Sequence, residues 1–220
     1  MADTPSRDQI LDAAERLFAE QGYARTTVKQ IGRAAGVNSA LLYYYFADKE
    51  ELYQQVLRRL IGELVRRTSG GLDRPGPPAV QLRAMVEAQA ETIASNPRFP
   101  RLLVRELAES DAAHAVGQLH VIAATTFRRL CDLVREGQAA GVFRRGLDPR
   151  FAAISIVSQV AYFAIARPAI RILLATGPTG PSRETLRRFA RHAAEFALAA
   201  LTTAPAAPAA ARPRRARRVG

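Results

Sequence analysis

The stretch Ser39-Ala-Leu-Leu-Tyr-Tyr-Tyr-Phe46 sets three phenols in a row before a phenylalanine. A phenol joins an apolar ring to a hydroxyl, so the chemistry open to it is recognition: ring contact with apolar groups and hydrogen bonds to acceptors. Ser39 and the upstream Thr27 add hydroxyls, and Lys49 adds an ammonium. Nothing nearby turns this set towards catalysis. The chain shows no nucleophile beside a base, no phosphate-cradling glycine loop and no paired carboxylates in a recognisable setting. His114, His120 and His192 are scattered and lack cysteine partners, so neither a metal nor another cofactor is expected. The reading is of a binding protein rather than an enzyme.

Which side chains are presented depends on the element that carries them. On a helix turning roughly 100° per residue from Ser39, Leu42 falls at about 300° and Phe46 at about 340°. That pair anchors the helix to a core. Tyr43, Ala40 and Tyr44, at about 40°, 100° and 140°, share the outward face with Ser39. Leu41 and Tyr45 flank the core at about 200° and 240°. Asn38 is the N-cap of this helix. Upstream, Thr27 with Gln30 forms a capping box that opens a short helix with Val28, Ile31 and Ala35 on its inner face. Gly36 ends that helix in the left-handed conformation and Val37 locks it. Two short helices joined by a tight turn make a helix-turn-helix, whose second helix is a reader of the DNA major groove. Tyrosine suits that surface, because its ring meets a thymine methyl or a sugar and its hydroxyl meets a phosphate. Packing against another protein is the competing use for Tyr43 and Tyr44. Capping alone is the competing role for Thr27. Lys49 opposes the dipole of the helix it opens, at a cost of about 0.3–1 kcal/mol, and a phosphate partner would account for it.

Further elements hold this pair in place. Ile10, Ala13, Ala14, Leu17 and Phe18 repeat at helical spacing, with Ser6 and Gln9 as a capping box and Gly22 as the stop. Asp48, with Glu51 three residues on, opens a long helix to about Arg67. The run at 68–78, TSGGLDRPGPP, reads as a break. Helical patterns resume at about 79–95, 98–109 and 112–139. Asp148-Pro149 opens the next helix, Pro168 kinks it, and Ser182 caps the last, which reaches about Leu201. No segment alternates as a strand would, so the fold class expected is all-α.

The totals fit this organisation. The chain has 220 residues, of which 48% are hydrophobic and 24% charged, as in an ordinary globular protein. No apolar run reaches the roughly 18 residues that span a bilayer, and MADTPSRDQI lacks a basic start followed by an apolar stretch. The single Cys131 fits a reducing compartment and reads as a buried thiol. The net charge is +12, yet residues 1–50 hold six Lys/Arg against seven Asp/Glu. The surplus lies in 51–200 and in the Ala/Pro/Arg-rich end, which is expected to be disordered and either merely solvated or an electrostatic arm for DNA.

Residues 10–57 resemble the DNA-binding region of the TetR family of bacterial transcriptional repressors. The matching pieces are Phe18, Gly22-Tyr23, Thr26-Thr27, Ile31, Ala34, Gly36-Val37, Leu42-Tyr43-x-Tyr45-Phe46 and Lys49-Glu50-x-Leu52. The resemblance implies a cytoplasmic, nucleoid-associated bacterial protein that binds a palindromic operator as a homodimer and answers to a small-molecule effector. It implies three regions: 1–50 for DNA binding, 51–203 for ligand binding and dimerisation, and 204–220 as the tail. It places DNA contacts on Thr27, Lys29, Asn38, Ser39, Ala40, Tyr43, Tyr44 and Lys49. Ala40-Leu41 departs from the polar residue or glycine that many relatives carry there. Base readout would then lean on apolar contact and DNA shape, with Lys29 as the main donor to a guanine.

In the C-terminal body, the helix opening at Pro149 is apolar on most sides, which predicts burial. With Phe189, Ala193, Phe196, Ala197 and Ala200 on one face of the last helix, it would build a two-fold four-helix bundle. An effector pocket would lie among the body helices, with Phe99, Leu103, Glu106, His120, Phe127, Gln159 and Tyr162 as candidate lining. Two other readings stay open: a non-specific or architectural DNA binder, and an all-α ligand carrier or enzyme.

Overall fold

The computed structural model describes residues 7–202. Both Ser6, half of the first capping box, and the arginine-rich end at 204–220 fall outside them. The elements are α1 (Arg7–Gln21), α2 (Val28–Ala35), α3 (Ser39–Tyr45), α4 (Lys49–Leu72), α5 (Pro78–Ser95), α6 (Arg98–Glu109), α7 (Val116–Ile122), a π turn (Ala123–Phe127), α8 (Arg128–Ala139), α9 (Pro149–Ile165), α10 (Arg167–Leu173) and α11 (Arg183–Thr202). The described residues contain no strand. No single helix among them is long and apolar enough to cross a membrane.

The first three helices close a small core around the start of α4. Ile10, Ala14 and Phe18 of α1, Ile31 of α2, Leu42 of α3 and Phe46 are all buried, together with Leu52 and Tyr53 of α4. Gly22 ends α1, with its N–H donating to the Phe18 carbonyl at 2.9 Å. From there α4 runs on into the body, where it packs along α5. Body packing continues from α5 to α11 and from α11 to α9, with Leu82, Met85, Leu130, Leu133, Val134 and Val160 in the core. Cys131 is buried there, and burial pushes its thiol pKa up.

Three features differ from the sequence expectation. The long fourth helix does not stop near Arg67 but continues through Thr68-Ser69-Gly70-Gly71 to Leu72. Two glycines cost a helix about 1 kcal/mol each against alanine. Here Gly71 lets α4 and α5 touch: a Cβ on it would stand 2.7 Å from the Met85 backbone. The hydroxyls of Thr68 and Ser69 meet Thr126 at 3.3 and 3.0 Å, so their polar groups are satisfied inside the bundle. The second difference lies at 112–139, where a turn precedes α7 and a π turn separates it from α8. The third is α9, which is not buried all round in the single chain. Phe151, Ile154 and Tyr162 are half exposed or more. Pro168 does break the helix as expected: it lies in the first turn of α10, and the two axes meet at 84°.

Candidate nucleic-acid interface

Each cap that positions the reading surface is local, and each forms. The Thr27 Oγ1 accepts from the Gln30 N–H at 3.2 Å, and the Thr27 N–H donates to Gln30 Oε1 at 2.8 Å. The Thr27 hydroxyl proton also points to Gln30 Oε1, at 3.0 Å. Gly36 sits at φ +70°, a region that favours glycine, and sends the chain into the turn. The Val37 N–H donates to the Gly32 carbonyl at 2.8 Å. The Asn38 Oδ1 accepts from the Leu41 N–H at 2.8 Å, which leaves the Asn38 amide nitrogen facing solvent. Asp48 caps α4 through the Glu51 N–H at 2.7 Å, and Glu51 accepts from the Ala47 N–H at 2.7 Å.

The face presented by α3 follows from these caps. Leu42 and Phe46 are buried, while Tyr43 and Tyr44 are 53% and 80% exposed. Tyr45 is half-buried and lies edge-on to Tyr44, with ring centres 5.2 Å apart. Ser39 and Ala40 are exposed and carry no bulk, so a ligand can approach the α3 backbone closely. Lys29 is exposed on α2. Six of the eight candidate contacts, Lys29, Asn38, Ser39, Ala40, Tyr43 and Tyr44, are therefore exposed, with the Lys29 ammonium, the Asn38 amide nitrogen and the Ser39, Tyr43 and Tyr44 hydroxyls open among the described residues. Thr27 is exposed but has its hydroxyl engaged.

Lys49 has a partner inside the protein. Its Nζ donates to the Tyr23 carbonyl at 3.1 Å and sits 4.2 Å from the centre of the Tyr23 ring. This cation–π contact offsets the unfavourable dipole without any phosphate. Tyr23 lies 26 residues away, so no local pattern could have shown the pairing. Burial, and after it the charges of Glu50 and Asp48, raise the Tyr23 phenol pKa.

Two cations escaped the sequence reading. Arg25 and Arg33 are exposed, and each stands four residues from Lys29. For Arg33, which shares α2 with Lys29, the four-residue spacing was the available signal, whereas Arg25 lies in the turn before that helix. That signal was masked by the acids of residues 1–50, but the structure disposes of several of these elsewhere. Asp12 and Glu15 of α1 both pair with Arg59 of α4 at 2.7 Å. Net charge by segment therefore understates how basic the α2–α3 surface is.

The ligand candidates do not converge. Glu106 is wholly buried and already satisfied: the Tyr53 hydroxyl donates to it at 2.9 Å and the His114 N–H at 2.7 Å. Burial first, and then that hydrogen bond, drive the Tyr53 phenol pKa far upward. His120 and Tyr162 are exposed, and Leu103 and Phe127 are half-buried. Gln159 lines an outer cleft with Phe151 and Phe196. Phe99 lines a pocket of about 70 Å³ under α4. The expected grouping on α11 also divides: Phe189 stacks on Phe163 at 4.3 Å and Ala193 and Ala197 are buried, but Phe196 and Ala200 face outward.

Comparison with known proteins agrees with this architecture. Residues 10–56 match the family described as bacterial regulatory proteins, tetR family, and residues 78–196 match a tetracyclin repressor-like C-terminal domain. The chain is 31% identical, over 157 residues, to the HTH-type transcriptional repressor KstR2 of Mycolicibacterium smegmatis, covering 66% of this chain and 74% of that protein. It is 25% identical over 148 residues to the fatty acid metabolism regulator protein of Bacillus subtilis, covering 67% and 76%. The fold superposes on the Bacillus subtilis regulator FadR in complex with stearoyl-CoA with a TM-score of 0.71 at 20% identity, covering 89% of this chain and all (100%) of that one.

Proposed function

We propose, since this chain belongs to the tetR family of bacterial regulatory proteins, that it is a homodimeric repressor released from its DNA operator by a small-molecule effector. It is a transcriptional regulator built from a helix-turn-helix head and a helical body. The observation that carries the finer reading is the outer face of α3. Small residues at Ser39 and Ala40 stand beside two exposed phenols and a basic α2 whose cations are unpaired among the described residues, a surface that fits a polyanion with apolar base edges. A second observation supports the dimer. Phe151, Ile154, Tyr162 and Phe196 form an exposed apolar face on α9 and α11, and a second copy meeting it about a two-fold axis would bury it. Each copy would then present α3 to successive major grooves, about 34 Å apart. In this reading an effector bound in the body shifts α4 and with it the two heads. The relatives named for fatty-acid metabolism and crystallised with stearoyl-CoA point to an apolar effector.

Selection from random-sequence duplexes tests this reading. The protein should enrich a palindrome and bind it at least a thousandfold more tightly than random duplex at fixed salt. Tyr44→Ala should weaken that binding about tenfold without moving the melting temperature, because the ring is exposed. Equal affinity for all duplexes would replace the reading with a non-specific binder. Absence of DNA binding would replace it with a ligand carrier.

A further inference from the structure

Two clefts meet on the side of the body where α6 passes between the head and the α9–α10 bend. One, of about 310 Å³, is walled by Ile93, Pro100, Phe163 and Leu186. The other, of about 660 Å³, opens towards the end of α1. They share Pro97, Pro100, Ala164 and Arg167, so they form one continuous groove. The first is mostly apolar, with Arg167 and Arg183 also lining it, whereas the second carries Arg101, Arg105 and Arg167 against Glu20 and Glu109.

Those arginines are unequally engaged. Arg101 is exposed and has no hydrogen bond or ion pair among the described residues. Arg167 donates only to the carbonyls of Thr179 and Pro181, at 3.1 and 3.2 Å, and has no carboxylate partner among the described residues. Arg105 holds the head to the body. Its Nη1 pairs with Glu109 Oε1 at 2.6 Å, and its Nη2 donates to the Glu20 carbonyl at 3.1 Å. That carbonyl belongs to the last turn of α1, where no helical N–H is left to satisfy it and a cation is favoured. Gly22 presses the chain onto the same ion pair: a Cβ there would stand 2.7 Å from Glu109 Oε2.

An apolar trough ending in three arginines, of which Arg101 and Arg167 lack acid partners among the described residues, fits one class of molecule. We propose that this groove is the effector site and takes an amphipathic anion. Its apolar chain or ring lies on Pro100, Phe163 and Leu186, and its carboxylate or phosphate meets Arg101, Arg105 and Arg167. The inference rests on the regulator reading and deepens it. An anion that draws Arg105 to itself takes the partner away from the Glu20 carbonyl and frees the head from α6. Effector binding and DNA binding are then coupled through one guanidinium, with no need for the ligand to touch α4.

The test uses the full chain and a duplex already selected with ligand-free protein, so failure of DNA recognition shows itself before any ligand is added. Decanoate, decyl phosphate and decanol are titrated by calorimetry below their aggregation limits, and the operator Kd is then measured with each. Both anions should bind at least tenfold more tightly than decanol and weaken operator binding. The tighter of the two tells whether the natural head group is a carboxylate or a phosphate. Arg101→Glu should abolish the preference for anions while keeping the melting temperature, decanol binding and ligand-free operator affinity. Arg105→Ala should remove the effect of saturating decanoate on the operator. The proposal is overturned if decanol matches the anions, if Arg101→Glu keeps the preference, or if none of the three binds. In each of those outcomes operator recognition by the ligand-free protein still stands.

Discussion

The head and the body bury their apolar residues in different ways. In the head, every large apolar side chain of α1–α3 that the helical pattern points inward finds its core within one chain, and the only large rings left outside are the phenols of Tyr43 and Tyr44 among the described residues. In the body, α9 and α11 keep Phe151, Tyr162 and Phe196 more than 60% exposed. A region whose core closes on itself can be a unit of recognition. The aromatic rings that α9 and α11 leave in water form the face that the proposed dimer would bury. Among the polar groups of the head, caps three or four residues long set its helix starts, while Lys49 with Tyr23 and Arg59 with Asp12 and Glu15 tie the helices to one another.

Five substitutions probe that contrast, starting from the largest expected effect. Phe46→Ala should destabilise the head by about 3–5 kcal/mol, because its ring is buried among α1, α3 and α4. Urea unfolding should show the loss, and DNA binding should go with it. Phe196→Glu should leave the head intact yet raise the dimer dissociation constant about a hundredfold, or about 2.8 kcal/mol. Sedimentation would detect this, and an unchanged dimer would mean that the exposed face serves another partner. Gly71→Ala should cost about 1–3 kcal/mol, since its Cβ would meet the Met85 backbone. Gly70→Ala, with nothing within 4 Å, should instead stabilise by about 0.5–1 kcal/mol. The sign of the difference between the neighbours checks the α4–α5 approach. Thr27→Ala should cost about 1 kcal/mol by removing the α2 cap. If the thermal shift were nil, the capping box would carry no weight and Thr27 would be reserved for DNA.

Much of the interface was legible because its determinants are close in sequence. Thr27 with Gln30, Asn38 with the Leu41 N–H, and Asp48 with Glu51 are all three residues apart, and that spacing is set by the helix itself. The wheel of α3 placed Tyr43 and Tyr44 outside for the same reason. Lys49 was not legible. Its position at a helix start suggested an anion, yet the structure supplies the carbonyl and ring of Tyr23. Glu106, one of the candidate lining residues, is held in the core by Tyr53 and His114, contacts that no local pattern shows.

The sequence by itself determined the helices, their caps, the helix-turn-helix and the face it presents, because backbone hydrogen bonding and side-chain periodicity act over three or four residues. Only the tertiary structure decided where α4 ends, which cations stay free, and what α6 grips. Gly70-Gly71 reads as a break along the chain, but α5 comes close enough to Gly71 to make the absence of a side chain there an advantage. Arg101 and Arg105 look alike along the chain, but one reaches the end of α1 and the other reaches solvent. Such differences arise from the packing of elements tens of residues apart, and no local rule carries that information.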